Sequence, residues 1–184
     1  MEQADVSVYM IRPNMRDIPQ IPFADGFSIR PFKPGEGVLW TDIQRDTERL
    51  FPIGDDLFMR EFGHDLEATL RRCFIVTKPN GAAAGTISAW YNPDYKGQDH
   101  GQIHWVAIRP AEQGVGLGKA ALSYAMNQLA LWHERAMLGT STARIPAIKM
   151  YLNFGFVPDL DHPDALEAWA VVRQHITHPA LEKI

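Results

Sequence analysis

The sequence predicts an α+β fold built on a mixed, mostly antiparallel sheet. Several short segments alternate apolar and polar residues with the period of two that is typical of half-buried strands. Longer segments repeat apolar residues three and four positions apart, which is the spacing of an amphipathic helix. Strand patterns follow one another directly early in the chain and alternate with helical patterns later. Neighbouring strands are therefore expected to be antiparallel first and parallel wherever a helix intervenes.

The first half of the chain combines strand and helix patterns around a proline-rich connector at 13–25. A turn at 79–81 joins the last two strands of this half as a hairpin. In order, the predicted elements are strands over 6–12 and 26–32, helices within 35–51 and over 65–72, and strands over 73–77 and 84–91.

The second half begins with a polar stretch, 92–101, that predicts a loop. Gly155 is a suitable terminator for one of the helices that follow. In order, the predicted elements are a strand over 102–108, a helix over 116–132, a strand over 136–142, a helix over 145–155, a strand over 156–160 and a helix over 163–176, of which 168–172 would also suit a strand.

Composition and charge exclude several classes of function. The 184 residues are 46% hydrophobic and carry a net charge of -4, which is ordinary for a globular domain. The length predicts one domain over 1–184, with an N-terminal extension over 1–25. No basic stripe is present for binding nucleic acid. Because Cys73 is the only cysteine, neither an internal disulfide nor a cysteine-based zinc site is expected, and no metal is predicted. The lack of a signal-peptide pattern or a long apolar run predicts a cytoplasmic protein that does not bind membranes.

Three glycines on alternate positions, Gly114, Gly116 and Gly118, stand between a predicted strand and a predicted helix. A strand, a glycine turn and a helix start form an anion site, because successive backbone N–H groups converge and the helix dipole adds positive charge. The missing Cβ atoms would let a phosphate approach those donors. The segment therefore predicts a phosphate-binding turn.

Two well-known phosphate loops fit this turn poorly. A Walker A loop needs a glycine five positions before Gly118 and a hydroxyl after Lys119, but Gln113 and Ala120 occupy these positions. A dinucleotide-binding fingerprint that starts at Gly116 should follow its strand directly, whereas the segment RPAEQ intervenes. Neither an ATP loop nor a nicotinamide site is the favoured interpretation.

A third pattern, Q-x-x-G-x-G on Gln113, Gly116 and Gly118, follows the segment IRP and resembles motif A of the GNAT superfamily, the acyl-CoA-dependent N-acyltransferases. The segment RIPAIKMYLNFGFVP, over 144–158, resembles motif B of the same family. The two motifs occur in the family's order, and the resemblance is sharpest over 102–158. It implies a central sheet of about seven strands with helices on both faces and acetyl-CoA as the cosubstrate.

The resemblance also implies which residues bind the acyl donor. In the family, the strand before the turn offers backbone groups to the pantetheine arm, and the turn binds the pyrophosphate through N–H groups. Arg144 stands where the family often has an asparagine that contacts the CoA chain. Three alternatives stay open for its side chain: contact with a CoA phosphate, contact with a carboxylate of the acceptor, or simple exposure to solvent. The implied donor-binding residues are Val106, Ala107, Ile108, Gln113, Gly114, Val115, Gly116, Leu117, Gly118, Lys119 and Arg144.

Transfer requires the amine to lose a proton and the CoA thiolate to gain one. In the family, a tyrosine at the position of Tyr151 lies near the thioester sulfur and acts as general acid, and a phenol stays protonated at neutral pH. Many members carry a glutamate base at the position that Gln102 occupies here, and a glutamine side chain cannot accept a proton. The arylalkylamine N-acetyltransferase branch has histidines at the positions of Gln102 and His104, so His104 is the candidate base, acting directly or through a water. Each has a structural alternative: a single hydrogen bond for Tyr151 and packing within a strand for His104.

The implied reaction is direct attack of a primary amine in a ternary complex, because Cys73 is expected to be a buried apolar residue and not a nucleophile. Weaker candidates for the base are His100, Asp94 and Asp99. The alternative is a non-catalytic acyl-CoA-binding domain, which the glutamine at position 102 favours.

The expected acceptor is a small-molecule amine or a peptide N-terminus, and a homodimer is left open. Acidic and aromatic side chains in the first two thirds of the chain would suit a cationic or aromatic amine, although most such aromatics belong to a core. These side chains are Trp40, Asp55, Asp56, Phe58, Trp90, Tyr91 and Trp105.

Overall fold

The computed structural model describes residues 5–182 and 184, whose strands form one sheet with helices on both faces. Strands β1 to β7 span Ser7–Arg12, Ser28–Pro31, Cys73–Thr77, Ala83–Tyr95, Gln98–Ile108, Ala136–Ser141 and Val157–Pro158. Helices α1 to α6 span Gly37–Thr47, Leu57–Phe62, Leu66–Arg72, Leu117–Leu129, Ile145–Asn153 and Ala165–Arg173. Short 3-10 helices follow β5 at Pro110–Glu112 and α6 at Pro179–Leu181.

The strand order in the sheet is β2-β3-β4-β5-β6-β1-β7. Strands β2 to β5 are antiparallel neighbours, and β5 pairs in parallel with β6 after the crossover through α4. The predicted α+β fold with a mixed, mostly antiparallel sheet is therefore confirmed. Strand β1 lies between β6 and β7 and is antiparallel to both, so the N-terminal segment supplies an inner strand of the sheet.

Each face of the sheet is covered by its own helices and its own apolar cluster. One cluster contains the buried residues of α4, α5 and α6, including Tyr151 and Trp169. The other contains the buried residues of α1 and α2, including Trp40 and Phe62. Large aromatic side chains contribute most to such clusters, because each buries roughly 150–250 Å² of surface.

The structure corrects the prediction for 92–101, which is not a loop. Strands β4 and β5 continue through this segment and turn at Lys96 and Gly97, whose φ angles are 56° and 74°. A two-residue turn with left-handed φ at both positions matches the twist of the strands that it joins. The polar composition of the segment reflects exposure at the end of a long hairpin.

The helical predictions in the first half need one correction. Helix α1 spans Gly37–Thr47, within the predicted range of 35–51. Helix α2 was missed, because its 6 residues are too few to show a helical period. Helix α3 agrees with its prediction, and the carboxylate of Asp65 accepts a hydrogen bond from the N–H of Ala68 at its start.

A β-bulge interrupts the pairing of β4 with β5. Thr86 lies opposite Ala107 and Ser88 lies opposite His104, so two residues of β5 share the space opposite one residue of β4. Trp105, within the bulge, has a φ of 48°. The extra residue reverses the usual alternation of side chains, and both His104 and Trp105 face the cluster that contains α1 and α2.

Strands β5 and β6 separate soon after they meet. Their parallel pairing consists of Gly101 opposite Ala136 and Gln102 opposite Met137. Beyond this point β5 continues to Ile108 beside β4, without further pairing to β6. We call the resulting gap, between β5 after Gln102 and β6 after Met137, the opening.

A polar network closes the opposite end of β5, which we call the hairpin end. The hydroxyl of Tyr95 donates to Asp159 Oδ2 at 2.6 Å, and the ammonium of Lys96 contacts Asp159 and Asp161. His162 Nε2 lies 3.0 Å from the same hydroxyl. Burial opposes ionisation of Asp159, but hydrogen bonds from Lys96 and Tyr95 outweigh it and lower the pKa of this carboxyl below its usual value.

Candidate active site

The glycine turn, residues Gly114 to Lys119, leads from the opening into α4. Gly114 and Gly116 have φ angles of 88° and 85°, and a Cβ atom at either position would meet nothing within 4 Å. These two glycines are therefore required for left-handed backbone on a turn that faces open space. Gly118 has an ordinary helical backbone, and the nearest neighbour of a Cβ atom added there would be Met150 Sδ at 3.7 Å.

The N–H groups of the glycine turn are free. Among the described residues, none from Gly114 to Lys119 donates to a protein acceptor, whereas Ala120 already donates to the carbonyl of Gly116 at 3.1 Å. The start of α4 has no side-chain cap and no acidic residue in its first turn. Successive free N–H groups at the positive end of a 13-residue helix are suited to binding an anion.

Gln113 has a different role from the residues after it. Its side-chain Nε2 donates to the carbonyl of Ile108 at 2.8 Å, and its backbone N–H donates to the carbonyl of Pro110. The side chain therefore ties the turn to the end of β5, and the backbone N–H ties it to the 3-10 helix at Pro110–Glu112. The part of the motif with free donors begins at Gly114.

Tyr151 lies on α5, and its ring packs against Phe156 with ring centroids 6.1 Å apart. The residue is 7% exposed, and its hydroxyl has no hydrogen-bond partner among the described residues. It is also not one of the completely buried polar atoms without partners, so the hydroxyl oxygen keeps some exposure. Burial raises the pKa of Tyr151 to about 12, against a smaller opposing effect of Arg144.

Arg144 precedes α5 and connects it to the segment after α1. Its guanidinium Nη2 lies 2.6 Å from Glu48 Oε2, and the side chain of Glu48 is 9% exposed. The same guanidinium is 5.9 Å from the ring centroid of Phe51, which in turn lies 6.3 Å from that of Trp105. Arg144 is thus held by a protein carboxylate, within electrostatic range of the Tyr151 hydroxyl.

His104 lies on β5 between three side chains. Its Nε2 is 3.2 Å from Glu61 Oε2, and its Nδ1 is 3.3 Å from the side-chain nitrogen of Gln102. The indole N–H of Trp105 donates to the same carboxylate oxygen at 2.9 Å. The hydrogen bond with His104 lowers the pKa of Glu61, burial opposes this, and the bond from Trp105 adds to it.

The structure therefore places the two predicted catalytic residues in different surroundings. Tyr151 belongs to the cluster of α4, α5 and α6, whereas His104 packs on Phe62 in the cluster of α1 and α2. In the described part of the chain no hydrogen bond joins them. A reaction that uses both would need substrates that reach from one cluster to the other, and β5 and β6 are unpaired beyond Gln102 and Met137.

The weaker catalytic candidates are less suitable. Cys73 is buried, and burial raises the pKa of its thiol to about 12, which agrees with the prediction that it is not a nucleophile. His100 and Asp99 lie towards the hairpin end, where Asp99 binds His133 at 2.7 Å. Asp94 is exposed near the turn of the same hairpin.

Most aromatic residues proposed for the acceptor belong to the core. Trp40, Phe58 and Trp90 are buried, and Tyr91 donates a hydrogen bond to Asp65 on α3's cap. Trp105 remains half-exposed beside His104. Asp55 and Asp56 pair with arginines at the surface and lie apart from the site.

An apolar cavity of about 570 Å³ lies between α1, α2 and α3, and it is distinct from this site. Its lining residues include Phe32 and Leu70 and two of the residues predicted for the acceptor, Asp55 and Phe58, but none of the predicted catalytic or donor-binding residues. Phe58 and Phe62 stand between this cavity and His104.

Sequence patterns did not indicate Glu48 or Glu61. Glu61 lies 43 positions before His104, on a helix that the sequence pattern did not predict. Glu48 lies 96 positions before Arg144. A charged residue in a solvated segment is common, so only the three-dimensional contact distinguishes these two carboxylates.

Within residues 5–182 and 184, no group of three or more histidine, cysteine, aspartate or glutamate side chains could hold a metal ion. In the same part of the chain, every helix is too short or too polar to cross a membrane.

Comparison with known proteins points to one family. The family model described as Acetyltransferase (GNAT) family matches residues 39–156. No curated protein sequence matches the chain.

Several solved structures share the fold at low sequence identity. A GCN5-related N-acetyltransferase from Sphaerobacter thermophilus has a TM-score of 0.70 at 16% identity, over 84% of this chain and 48% of that one. A GNAT-family acetyltransferase from Colwellia psychrerythraea has a TM-score of 0.64 at 11% identity, over 85% and 54%. A chain of the NatC complex, bound to a Gag peptide and CoA, has a TM-score of 0.58 at 18% identity, over 71% and 84%. The chain thus spans about half the length of the first two proteins.

Proposed function

Because this chain belongs to the GNAT acetyltransferase family, we propose that it is one acyltransferase domain that moves an acetyl group from acetyl-CoA to a primary amine. The observation that carries the proposal is the row of free N–H groups from Gly114 to Lys119 at the start of α4. The amine attacks the thioester directly, in a complex that holds both substrates.

The acyl donor would lie along β5 and across the glycine turn. The residues from Val106 to Ile108 have no partner strand on the side of β6, so backbone groups on that side are available to the amide groups of pantetheine, apart from the Ile108 carbonyl, which accepts from Gln113. The pyrophosphate would accept hydrogen bonds from the N–H groups of Gly114 to Lys119. Gln113 supports this turn through its hydrogen bond to the carbonyl of Ile108. Arg144 would add positive charge, which its ion pair with Glu48 partly neutralises.

Two proton transfers accompany the exchange of bonds. As the amine nitrogen bonds to the acetyl carbon and the carbon–sulfur bond breaks, His104 accepts a proton from the amine and Tyr151 donates one to the thiolate. A pKa of about 12 keeps the Tyr151 hydroxyl protonated throughout the neutral range. Its hydroxyl is suited to this role because no protein acceptor holds it.

The acceptor would approach from the side of His104 and the segment after α1. The carboxylates of Glu48 and Glu61 and the rings of Phe51 and Trp105 surround this side. Acidic and aromatic groups together favour an amine that arrives as a cation and releases one proton to solvent before it attacks as the neutral amine. A small-molecule amine and a peptide N-terminus both satisfy this description.

Ligand binding provides the first test. We expect acetyl-CoA at one hundred times its Kd to stabilise the protein by about 2.7 kcal/mol, while ATP and NADH have smaller effects. Stabilisation by NADH alone would contradict the proposed donor. If acetyl-CoA binds but no amine in a broad panel leads to release of the CoA thiol, a non-catalytic acyl-CoA-binding domain would be favoured. The glutamine at position 102, in place of the glutamate base of many family members, would agree with that outcome.

Substitution of the proposed acid provides the second test. Tyr151→Phe should lower kcat by about 10²-fold or more and leave the KM for acetyl-CoA unchanged, because a phenylalanine cannot donate the proton. Tyr124→Phe on α4 is the matched control, since Tyr124 is half-buried and packs on Phe74. Equal turnover by the two variants would show that Tyr151 is not the acid.

A further inference from the structure

We propose that Glu61 is a positioning residue, which holds His104 in one tautomer and one orientation and stabilises the imidazolium formed when His104 accepts a proton. This inference rests on the acetyl transfer proposed above. It assigns the tautomer, the basic nitrogen and the partner of His104.

The β-bulge explains how one carboxylate contacts two successive residues of a strand. Side chains at neighbouring strand positions normally point to opposite faces of a sheet. Here the left-handed backbone at Trp105 turns its indole to the same face as His104. Glu61 Oε2 therefore binds both rings, at 3.2 Å from His104 Nε2 and 2.9 Å from the indole nitrogen.

The chemistry of the partners determines the tautomer of His104. The carboxylate of Glu61 can only accept, so the nitrogen beside it, Nε2, carries the hydrogen. The side-chain nitrogen of Gln102 can only donate, so the nitrogen beside it, Nδ1, carries a lone pair. The two contacts agree, and both select the Nε2–H tautomer.

The charge of Glu61 is preserved by its surroundings. The hydrogen bond with His104 is the largest cause that lowers the pKa of Glu61, burial opposes it, and the bond from Trp105 reinforces it. The carboxylate is 27% exposed and the imidazole 25% exposed, so each is partly shielded from water. A negative carboxylate at hydrogen-bond distance stabilises a protonated ring more than a neutral one.

This arrangement specifies where the proton goes. Because Nε2 already carries a hydrogen, the amine proton must reach Nδ1 as the amine nitrogen bonds to the acetyl carbon. The 3.3 Å contact from Gln102 is long for a hydrogen bond, and the amine or an intervening water would replace it. The carbon–sulfur bond breaks, the thiolate takes the Tyr151 proton, and proton exchange with solvent restores both residues. Glu61 keeps its charge throughout.

A double-mutant cycle tests whether Glu61 acts through His104. Glu61→Gln should lower kcat by about 10–100-fold at constant KM for acetyl-CoA, and His104→Gln should lower it by about 10²-fold or more. The double variant should be no slower than His104→Gln alone, because Glu61 has no role once the imidazole is absent. Multiplication of the two effects would overturn the proposal. Glu67→Gln is the matched control, since Glu67 is an exposed carboxylate that pairs with Arg71 on α3.

NMR of ¹⁵N-labelled histidine tests the same inference on the wild-type protein, without relying on activity. In the wild-type protein, at a pH where the imidazole is neutral, His104 should carry its ring N–H hydrogen on Nε2, and Nδ1 should be unprotonated. The Nε2 proton should exchange slowly with water, and Glu61→Leu should abolish this protection. A proton on Nδ1 in the wild-type protein would overturn the proposal. The expected tautomer in a protein that acetylates no amine would instead contradict the proposed function and support the Glu61–His104 contact.

Discussion

At the hairpin end of β5, the side chains of Tyr95, Lys96 and Asp159 all bind protein partners. At the opposite end of the same strand, the N–H groups from Gly114 to Lys119 bind none among the described residues. Both ends contain left-handed glycines at which a Cβ atom would meet nothing within 4 Å. One end therefore uses its polar groups within the fold, and the other leaves its backbone N–H groups available to a ligand, as the proposed donor site requires.

The strand pairing follows the same contrast. Towards the hairpin end, β5 pairs with β4 as far as Tyr95 opposite Gln98, with one irregularity between Asn92 and Tyr95, and β6 joins it on its other side at Gly101 and Gln102. Towards the glycine turn, a bulge at Trp105 and the separation from β6 interrupt the ladder. Irregular strands and unpaired backbone groups are destabilising unless a bound molecule or water satisfies them. The proposed site therefore lies where β5 has lost its second partner strand.

The largest expected effect lies at the hairpin end. Asp159→Ala should lower the free energy of unfolding by about 2–3 kcal/mol. The side chain of Asp159 is only 2% exposed, and its removal leaves the Lys96 ammonium and the Tyr95 hydroxyl without their carboxylate partner. Urea unfolding measures this loss. Asp161→Ala is the control, since the side chain of Asp161 is 79% exposed and should contribute little. Weaker binding of acetyl-CoA by folded Asp159→Ala would contradict the separation of the two ends.

The same carboxylate should make stability depend on acid. Because the pKa of Asp159 is lowered in the folded state, its contribution is complete above the ordinary aspartate value of about 3.9 and is lost as the pH falls through the lower folded value. Asp159→Asn cannot ionise, so its unfolding free energy should fall less steeply below about pH 4. Parallel curves for the two proteins would show that this network does not provide the acid sensitivity.

A pair of glycine substitutions compares the two ends directly. Gly116→Ala and Gly97→Ala both place a Cβ atom on left-handed backbone with open space around it, so each should cost about 1–2 kcal/mol in strain. Only Gly116→Ala should also weaken acetyl-CoA binding, by about tenfold or 1.4 kcal/mol, because it disturbs the N–H groups of the glycine turn. Isothermal titration calorimetry measures the affinities. Equal affinities in the two variants would refute a donor site at the glycine turn.

The smallest effect concerns Arg144. Arg144→Gln should weaken acetyl-CoA binding by about threefold if the guanidinium contacts the donor, and Glu48→Gln should leave binding unchanged or strengthen it, because it frees that guanidinium. If the pair is only structural, both variants should lose similar stability and bind acetyl-CoA with the same affinity as the wild-type protein. Calorimetry of the two variants side by side distinguishes these roles.

Local sequence patterns predicted most of the fold. The glycine turn, the start of α3 at Asp65 and the end of α5 before Gly155 all depend on residues within a few positions of one another. The continuation of β4 and β5 through 92–101 could not be predicted, because exposed strand residues near a turn are as polar as a loop. The placement of β1 between β6 and β7 depends on pairing between segments that are more than 120 residues apart.

The site was predictable only in its motif residues. Gly114 to Lys119 and Tyr151 belong to short patterns that are visible in the sequence, whereas Glu61 meets His104 only because α2 packs above the bulge at Trp105. The side-chain contact of Gln113 with Ile108 is equally invisible in a pattern. Contacts of this kind are set by tertiary packing, and local periodicity contains no information about them.

The most direct test of a donor site at the glycine turn is a titration of the ¹⁵N-labelled protein with acetyl-CoA, followed by ¹H–¹⁵N correlation spectra. The backbone amides from Gly114 to Lys119 should show the largest shifts, because their free N–H groups gain charged acceptors. The amide of Gly97, at the hairpin end, should not move. Shifts centred on the hairpin end, or no shift of the glycine turn at saturating acetyl-CoA, would contradict the account.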